Sequence, residues 1–176
     1  RNWGGDVLKI MDVARVSIAD ITKTAELAWA SFPCQDLSLA GMGAGLKGDR
    51  SGTFWPFWNI IKKLGVENRA PKIIVLENVC GTITSHGGKD FSAICKALHD
   101  EGYLFGAFVM DAAEFVPQSR PRLFIVGVRR GMSKIEVYMN REPDVKWHTD
   151  ALVAAYRNLD GKVKSSWLWW KLPYPE

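Results

Sequence analysis

The run Lys72 to Val79, KIIVLENV, is apolar without alternation through Ile73–Leu76 and then turns polar at Glu77 and Asn78. An unbroken β-branched run of this length reads as a strand covered on both faces, and such strands belong to sheets flanked by other layers. Leu27 to Phe32 (LAWASF) reads as a second buried strand, Val7 to Val13 (VLKIMDV) as a short one, and Tyr103 to Asp111 and Leu123 to Val128 as two more. Helical apolar stripes separate them. Thr53 to Leu64 carries one, its start confined near Pro56, and Phe91 to His99 carries another, stopped by Gly102. Strands alternating with helices predict an α/β fold with an open, mostly parallel sheet and helices on both faces.

At 176 residues and 47% hydrophobic, the chain can bury a core without disulfides or metal staples. Its three cysteines form no CxxC pair and its three histidines lie far apart, so no zinc site is expected. The plain reading is a reducing compartment, with Cys80 and Cys95 as small core residues. No apolar run reaches the ~18–20 residues of a membrane helix, so no membrane partner is expected. The net charge of +4 permits a polyanionic partner without requiring one. The pattern weakens beyond Gly131, and the first residue, Arg1, is not Met, which suggests a piece of a longer product.

In open α/β sheets the ligand site lies beyond the carboxyl ends of the strands. By this reading Asp12 and Val13 end the first strand, Phe32 to Cys34 follow the second, and Glu77 and Asn78 end the third. Cys34 lies in SFPCQDLSLAG, between Pro33 and Gln35, with Gly41, Gly43, Gly45 and Gly48 downstream. A thiol at a strand-to-loop junction is accessible, as a nucleophile must be; the competing reading is a buried core cysteine. Glu77 is costly at the end of a buried strand unless paired or protonated, or it merely caps the next segment. In FVPQSRPRLFIVG, Arg120 and Arg122 are spaced to share a face, suiting a phosphate or a base carbonyl; a solvated edge pair is the alternative.

Taken in order, these residues resemble the DNA cytosine-5 methyltransferases over about Asn2 to Arg130. Pro33-Cys34-Gln35 is similar to that family's nucleophile motif, Glu77-Asn78-Val79 to its glutamate motif, and Gln118-x-Arg120-x-Arg122 to its QxRxR motif. The resemblance implies a Rossmann-like, S-adenosyl-L-methionine-dependent fold acting on double-stranded DNA. Cys34 would add to carbon 6 of a flipped-out cytosine, making carbon 5 nucleophilic toward the methyl group. Glu77 would hold or protonate nitrogen 3, Arg122 would bind the carbonyl oxygen at carbon 2, and Arg120 would brace a phosphate. Asn78 would position the cysteine segment and the base. Gln35, Ser38 and Arg50 would lie on a loop closing over DNA, with Gln118 also facing it. On the cofactor side Asp12 would accept from the adenine amine beside Val13, Phe32 and Pro33 would line the cleft, and Phe54 would pack on the adenine. The resemblance further implies a bacterial or phage cytoplasmic setting and a cognate restriction endonuclease as a possible partner.

The family's opening FxGxG loop and the acidic residue after it have no counterpart here, and neither do its recognition region and closing motif. Residues 1–130 therefore read as the central part of a catalytic domain, and 131–176 as a trailing segment leading towards the recognition region. The isolated chain is accordingly expected neither to methylate DNA nor to bind the cofactor with normal affinity. Three alternatives stay open: an RNA cytosine-5 methyltransferase, a non-catalytic nucleic-acid-binding module with a degenerate fold, and a thiol hydrolase in which His86 reaches Cys34 through the fold.

Overall fold

The computed structural model describes residues 9–32 and 54–175. Its centre is a four-stranded sheet of β1 (Leu27–Ser31), β2 (Ile73–Val79), β3 (Tyr103–Asp111) and β4 (Pro121–Arg129), in the order β1-β2-β4-β3. β1 and β2 pair in parallel, while β4 runs antiparallel to both β2 and β3. Strands β1, β2 and β3 thus share one direction and β4 is reversed between the last two. The α/β expectation stands, but the sheet is mixed, and among the described strands only β1 and β2 pair in parallel. The cause is loop length. A parallel return needs a crossover of about a dozen residues or more, and the 112–120 link is too short for one, so it closes a hairpin instead.

Helices α1 (Phe54–Val66) and α2 (Lys89–Asp100) pack on one face of the sheet. In α1 the buried Phe54, Trp58 and Ile61 recur at helical spacing, and Pro56 falls in the first turn, where its missing N–H costs no intrahelical bond. In α2 the same spacing buries Phe91, Ile94, Cys95 and Leu98. The chain then turns at Gly102, whose φ of 79° lies in the left-handed region. Burying each such side chain contributes about 1.5–3 kcal/mol.

The second face is covered differently. No α-helix lies on it among the described residues; a cluster of Phe108, Val128, Trp147, Leu168 and Trp170 does, with Ile135 of the 3-10 helix Ile135–Tyr138 packed against it, so α-helices on both faces are not seen among the described residues. The tryptophan-rich segment Ser166–Trp170 runs along the outer edge of β3. The Phe105 N–H donates to the Ser166 carbonyl at 2.8 Å, and the Leu168 N–H donates to the Phe105 carbonyl at 2.6 Å. Its side chains then alternate as in a strand: Trp167 and Trp169 enter the helix-side core, Leu168 and Trp170 the other. Helices α3 (Asp150–Arg157) and α4 (Gly161–Lys164) and the two-stranded β5 (Met139–Asn140) and β6 (Trp169–Trp170) complete this segment.

Gly106 makes that docking possible. A Cβ built there would lie 1.9 Å from the Leu168 carbonyl oxygen and 3.0 Å from Trp170 Cδ1. Gly106→Ala is therefore expected to destabilise the fold by about 1–3 kcal/mol, read as a lower urea midpoint followed by tryptophan fluorescence. An unchanged midpoint would show that the segment does not pack on β3 as described.

Two expectations fail near the N-terminus and at Cys80. Residues 9–12 form no strand, and Asp12 instead caps a short 3-10 turn over Val13–Arg15, its carboxylate accepting from the Ala14 N–H at 2.9 Å. The aliphatic run had suggested a strand, but its exposed Ile10 and Met11 bury nothing in the sheet. Cys95 is fully buried, whereas Cys80 is only partly buried on the first turn after β2.

Candidate active site

The carboxyl ends of β1 and β2 and the start of β4 meet at one edge of the sheet. The pairing register sets Ser31 beside Glu77, and Val79 beside Arg122. With the period of two along each strand, Ser31, Glu77 and Arg122 project from the same face. They line a cleft of about 300 Å³ together with Phe32, Asn78, Val79 and Arg120.

Both oxygens of Glu77 are engaged. Ser31 Oγ donates to Glu77 Oε2 at 2.5 Å, and Arg122 Nε lies 3.4 Å from Glu77 Oε1. Trp29 Nε1 donates in turn to Ser31 Oγ at 3.0 Å, so a line of donors runs from the indole through the hydroxyl to the carboxylate. Arg122 Nη1 also donates to the Pro121 carbonyl at 2.9 Å, which fixes the plane of its guanidinium. The carboxylate is held, partly open to solvent, between a hydroxyl on one strand and a guanidinium on another.

Asn78 is buried on the opposite face of β2. Its Oδ1 accepts from the Val79 N–H at 2.8 Å, and its Nδ2 has no partner among the described residues. Cys80 lies just past the cleft, and burial pushes its thiol up, with the Arg122 charge opposing the shift.

Phe32 is buried against Phe54, their ring centroids 5.3 Å apart, and presents an edge to the cleft. Phe54 itself has no exposed surface. It is enclosed by Phe32, Trp55 and Trp58, so its ring is a core element here and offers no face to an adenine. The turn Val13–Arg15 that Asp12 caps lies beside α1, and Asp12 is exposed. Gln118 is exposed on the β3–β4 loop and does not line the cleft. Pro33, Cys34, Gln35, Ser38 and Arg50 lie outside the described residues.

Sequence reasoning missed two contributors. By sequence Ser31 is only part of a buried strand; its place at a strand's carboxyl end, before Phe32-Pro33-Cys34, is the signal available for it. Asp111 was read as the end of β3; its carboxylate in fact accepts three hydrogen bonds from the loop that follows.

A mixed α/β sheet with a carboxylate, an amide and two guanidiniums gathered at one strand edge defines a site built for a polar, planar or anionic ligand. The comparisons give that class a family. The family model for C-5 cytosine-specific DNA methylases matches residues 1–166, and the chain belongs to that family. A type II methyltransferase of Neisseria gonorrhoeae, M.NgoFVII, is 35% identical over 127 residues, which are 71% of this chain and 33% of that protein. M.Bsp6I of a Bacillus species is 31% identical over 76% of this chain and 40% of its own length. The chain thus spans about a third of the length of these curated relatives. Among solved structures, the Dnmt2 methyltransferase of S. pombe superposes with a TM-score of 0.53 at 21% identity, over 78% of this chain and 48% of that one, and shares the fold. That fold is the Rossmann-like methyltransferase fold.

Proposed function

We propose that this chain supplies the base-holding part of an enzyme that methylates carbon 5 of cytosine in double-stranded DNA through a covalent cysteine adduct. The observation that carries the reading is the cleft itself, where Glu77, Asn78, Arg120 and Arg122 stand around one opening at the carboxyl edge of β1 and β2. Cys34 follows two positions after Phe32, which lines that opening.

The cleft suits a flipped cytosine. Its Watson–Crick edge offers nitrogen 3, an exocyclic amine and a carbonyl oxygen. Glu77 would meet nitrogen 3 and the amine, and Arg122 the carbonyl oxygen, by partly exchanging the contact they now make with each other. Cys34 Sγ forms a bond to carbon 6, and electron density moves onto the ring toward nitrogen 3 and the carbonyl oxygen. Glu77 and Arg122 counter that charge where it develops. Once carbon 5 carries the methyl group, loss of its proton restores the ring and breaks the carbon–sulfur bond, releasing the thiolate. Asn78, whose Nδ2 has no partner among the described residues, would position the cysteine segment and the base, while Arg120 and Gln118 face the DNA backbone. Gln35, Ser38 and Arg50 complete the DNA-facing loop.

S-Adenosyl-L-methionine, when bound, supplies an electrophilic methyl group. The described residues fit it in part: Asp12 is exposed, its Oδ1 accepts from the Ala14 N–H, and Val13 lies beside it, while Phe32 borders the cleft, with Pro33 following it in sequence. Phe54 is enclosed and does not fit the adenine role given to it by the sequence. The similarity to type II methyltransferases supports a restriction–modification setting with a cognate endonuclease.

The test is a covalent trap with the intact protein. A duplex bearing 5-fluorocytosine and S-adenosyl-L-methionine should give a denaturant-stable protein–DNA adduct, because fluorine cannot leave as the proton does. An adduct with RNA alone would assign the substrate to RNA, and no adduct with either would remove the covalent reading. Within the same assay, Ser31→Ala is expected to lower kcat by about ten- to one-hundred-and-fifty-fold, since a hydrogen bond to a charged group contributes about 1.5–3 kcal/mol. An unchanged kcat would show that Ser31 does not orient Glu77.

A further inference from the structure

We infer that Asp111 is a positioning residue for DNA binding: its carboxylate folds the 112–120 loop so that Arg120 stands at the cleft. This inference rests on the DNA reading above, and it concerns a residue outside the three motifs that carry the family resemblance.

The observation is an unusual concentration of contacts on one side chain. Asp111 Oδ1 accepts from the Arg120 N–H at 2.5 Å and from the Ala113 N–H at 3.1 Å, and Oδ2 accepts from Ser119 Oγ at 2.7 Å. One carboxylate therefore grips both the departing and the returning limb of the loop. The backbone alone does this poorly. The Ala112 N–H donates to the Arg120 carbonyl at 3.4 Å, and the remaining backbone bonds of the loop, from the Phe115, Val116 and Gln118 N–H groups, stay within residues 112–118. Away from this clamp, Lys146 Nζ reaches Glu114 Oε2 at 2.5 Å from the trailing segment, leaving residues 115–118 on the exposed outer arc.

The bond to the Arg120 N–H has the most direct consequence. It sets the backbone immediately before β4, from which the Arg120 side chain extends to the cleft rim and the Arg122 side chain reaches Glu77. The three donors also hold the Asp111 carboxyl below its ordinary value, the Ala113 N–H most strongly, so it is ionised and accepting at neutral pH. Without the clamp the loop would sample many conformations, and Arg120 would have to be ordered again at each encounter with DNA.

The experiment compares steady-state kinetics and salt dependence in the intact protein. Asp111→Ala is expected to raise KM for duplex DNA about ten-fold, with kcat within about two-fold. It should also reduce the slope of log KM against log salt by about one, as losing one phosphate contact does. Asp111→Asn should restore both, because the amide keeps one oxygen for the two backbone N–H groups and Ser119 Oγ can accept from its nitrogen. Arg120→Ala should raise KM and reduce the slope at least as far, whatever its kcat, and the double variant should add nothing further to either. An unchanged KM and slope in Asp111→Ala would overturn the inference, as would additive losses in the double variant or a failure of Asn to rescue. If the wild-type protein does not methylate duplex DNA, the functional reading fails instead, and the inference falls with it for that separate reason.

Discussion

Cys34→Ser in the intact protein is expected to lower methyl transfer to DNA by about 10⁴-fold or more while leaving duplex binding within a few-fold of wild type. The two side chains differ by one atom of similar size, so the substitution changes the nucleophile with little change in shape. A cysteine with an ordinary pKa near 8.5 is a few per cent thiolate at neutral pH, and the thiolate is intrinsically a strong nucleophile. A serine hydroxyl has no comparable ionised fraction and would need a general base within reach. The described cleft offers only Glu77 in that capacity, and both of its oxygens are occupied by Ser31 and Arg122. Single-turnover methyl transfer with labelled S-adenosyl-L-methionine, alongside DNA binding by anisotropy, separates the two quantities. Retained turnover would exclude Cys34 as the covalent nucleophile.

How much of this site could be read beforehand depended on what each feature requires. The β2 strand was legible because four consecutive aliphatic residues, Ile73–Leu76, have few other uses, and the glutamate and asparagine that follow had to be explained. Arg120 and Arg122 were legible as a pair from their spacing alone. The reversed direction of β4 was accessible in principle from the length of the 112–120 link, but an alternation of strands and helices suggests parallel pairing unless that length is weighed. The Val7–Val13 reading failed over its described residues because local hydrophobicity cannot reveal whether a sheet neighbour exists, and Asp12 instead caps a 3-10 turn over Val13–Arg15. The trailing tryptophans looked like the approach to another region. Their burial along the edge of β3 depends on Gly106 being bare, a pairing across more than sixty positions that no local pattern announces.

Ser31 and Asp111 belong to a different category. Each acts through another residue, and each is a common residue at an ordinary strand end. Their significance arises from register: Ser31 faces Glu77 only because β1 and β2 pair in parallel at that offset, and Asp111 meets Arg120 only because β3 and β4 close as a hairpin. Phe54 is the converse case. Placed by resemblance against a ligand, it is consumed by the aromatic cluster of Phe32, Trp55 and Trp58.

Glu77→Gln is expected to reduce kcat by about 10²- to 10⁴-fold with KM for DNA changed only a few-fold, the usual range for general acid–base assistance. The geometry explains why binding should survive. Arg122 can only donate, so the glutamine oxygen would face it, and the amide nitrogen would turn to Ser31 Oγ, which can accept as readily as it donates. The side chain would remain in its present place between β1 and β4. What disappears is the ability to exchange a proton or carry charge as electron density moves onto nitrogen 3 during thiolate addition. The loss should therefore fall on the chemical step, and a pre-steady-state burst with labelled S-adenosyl-L-methionine can read it directly. The partly exposed Glu77–Arg122 pair contributes little to folding by itself, so the urea midpoint should move by no more than about 1 kcal/mol equivalent. A variant with normal kcat and a raised KM would make Glu77 a binding residue, and the charge developing on the ring would then have to be met by Arg122 alone.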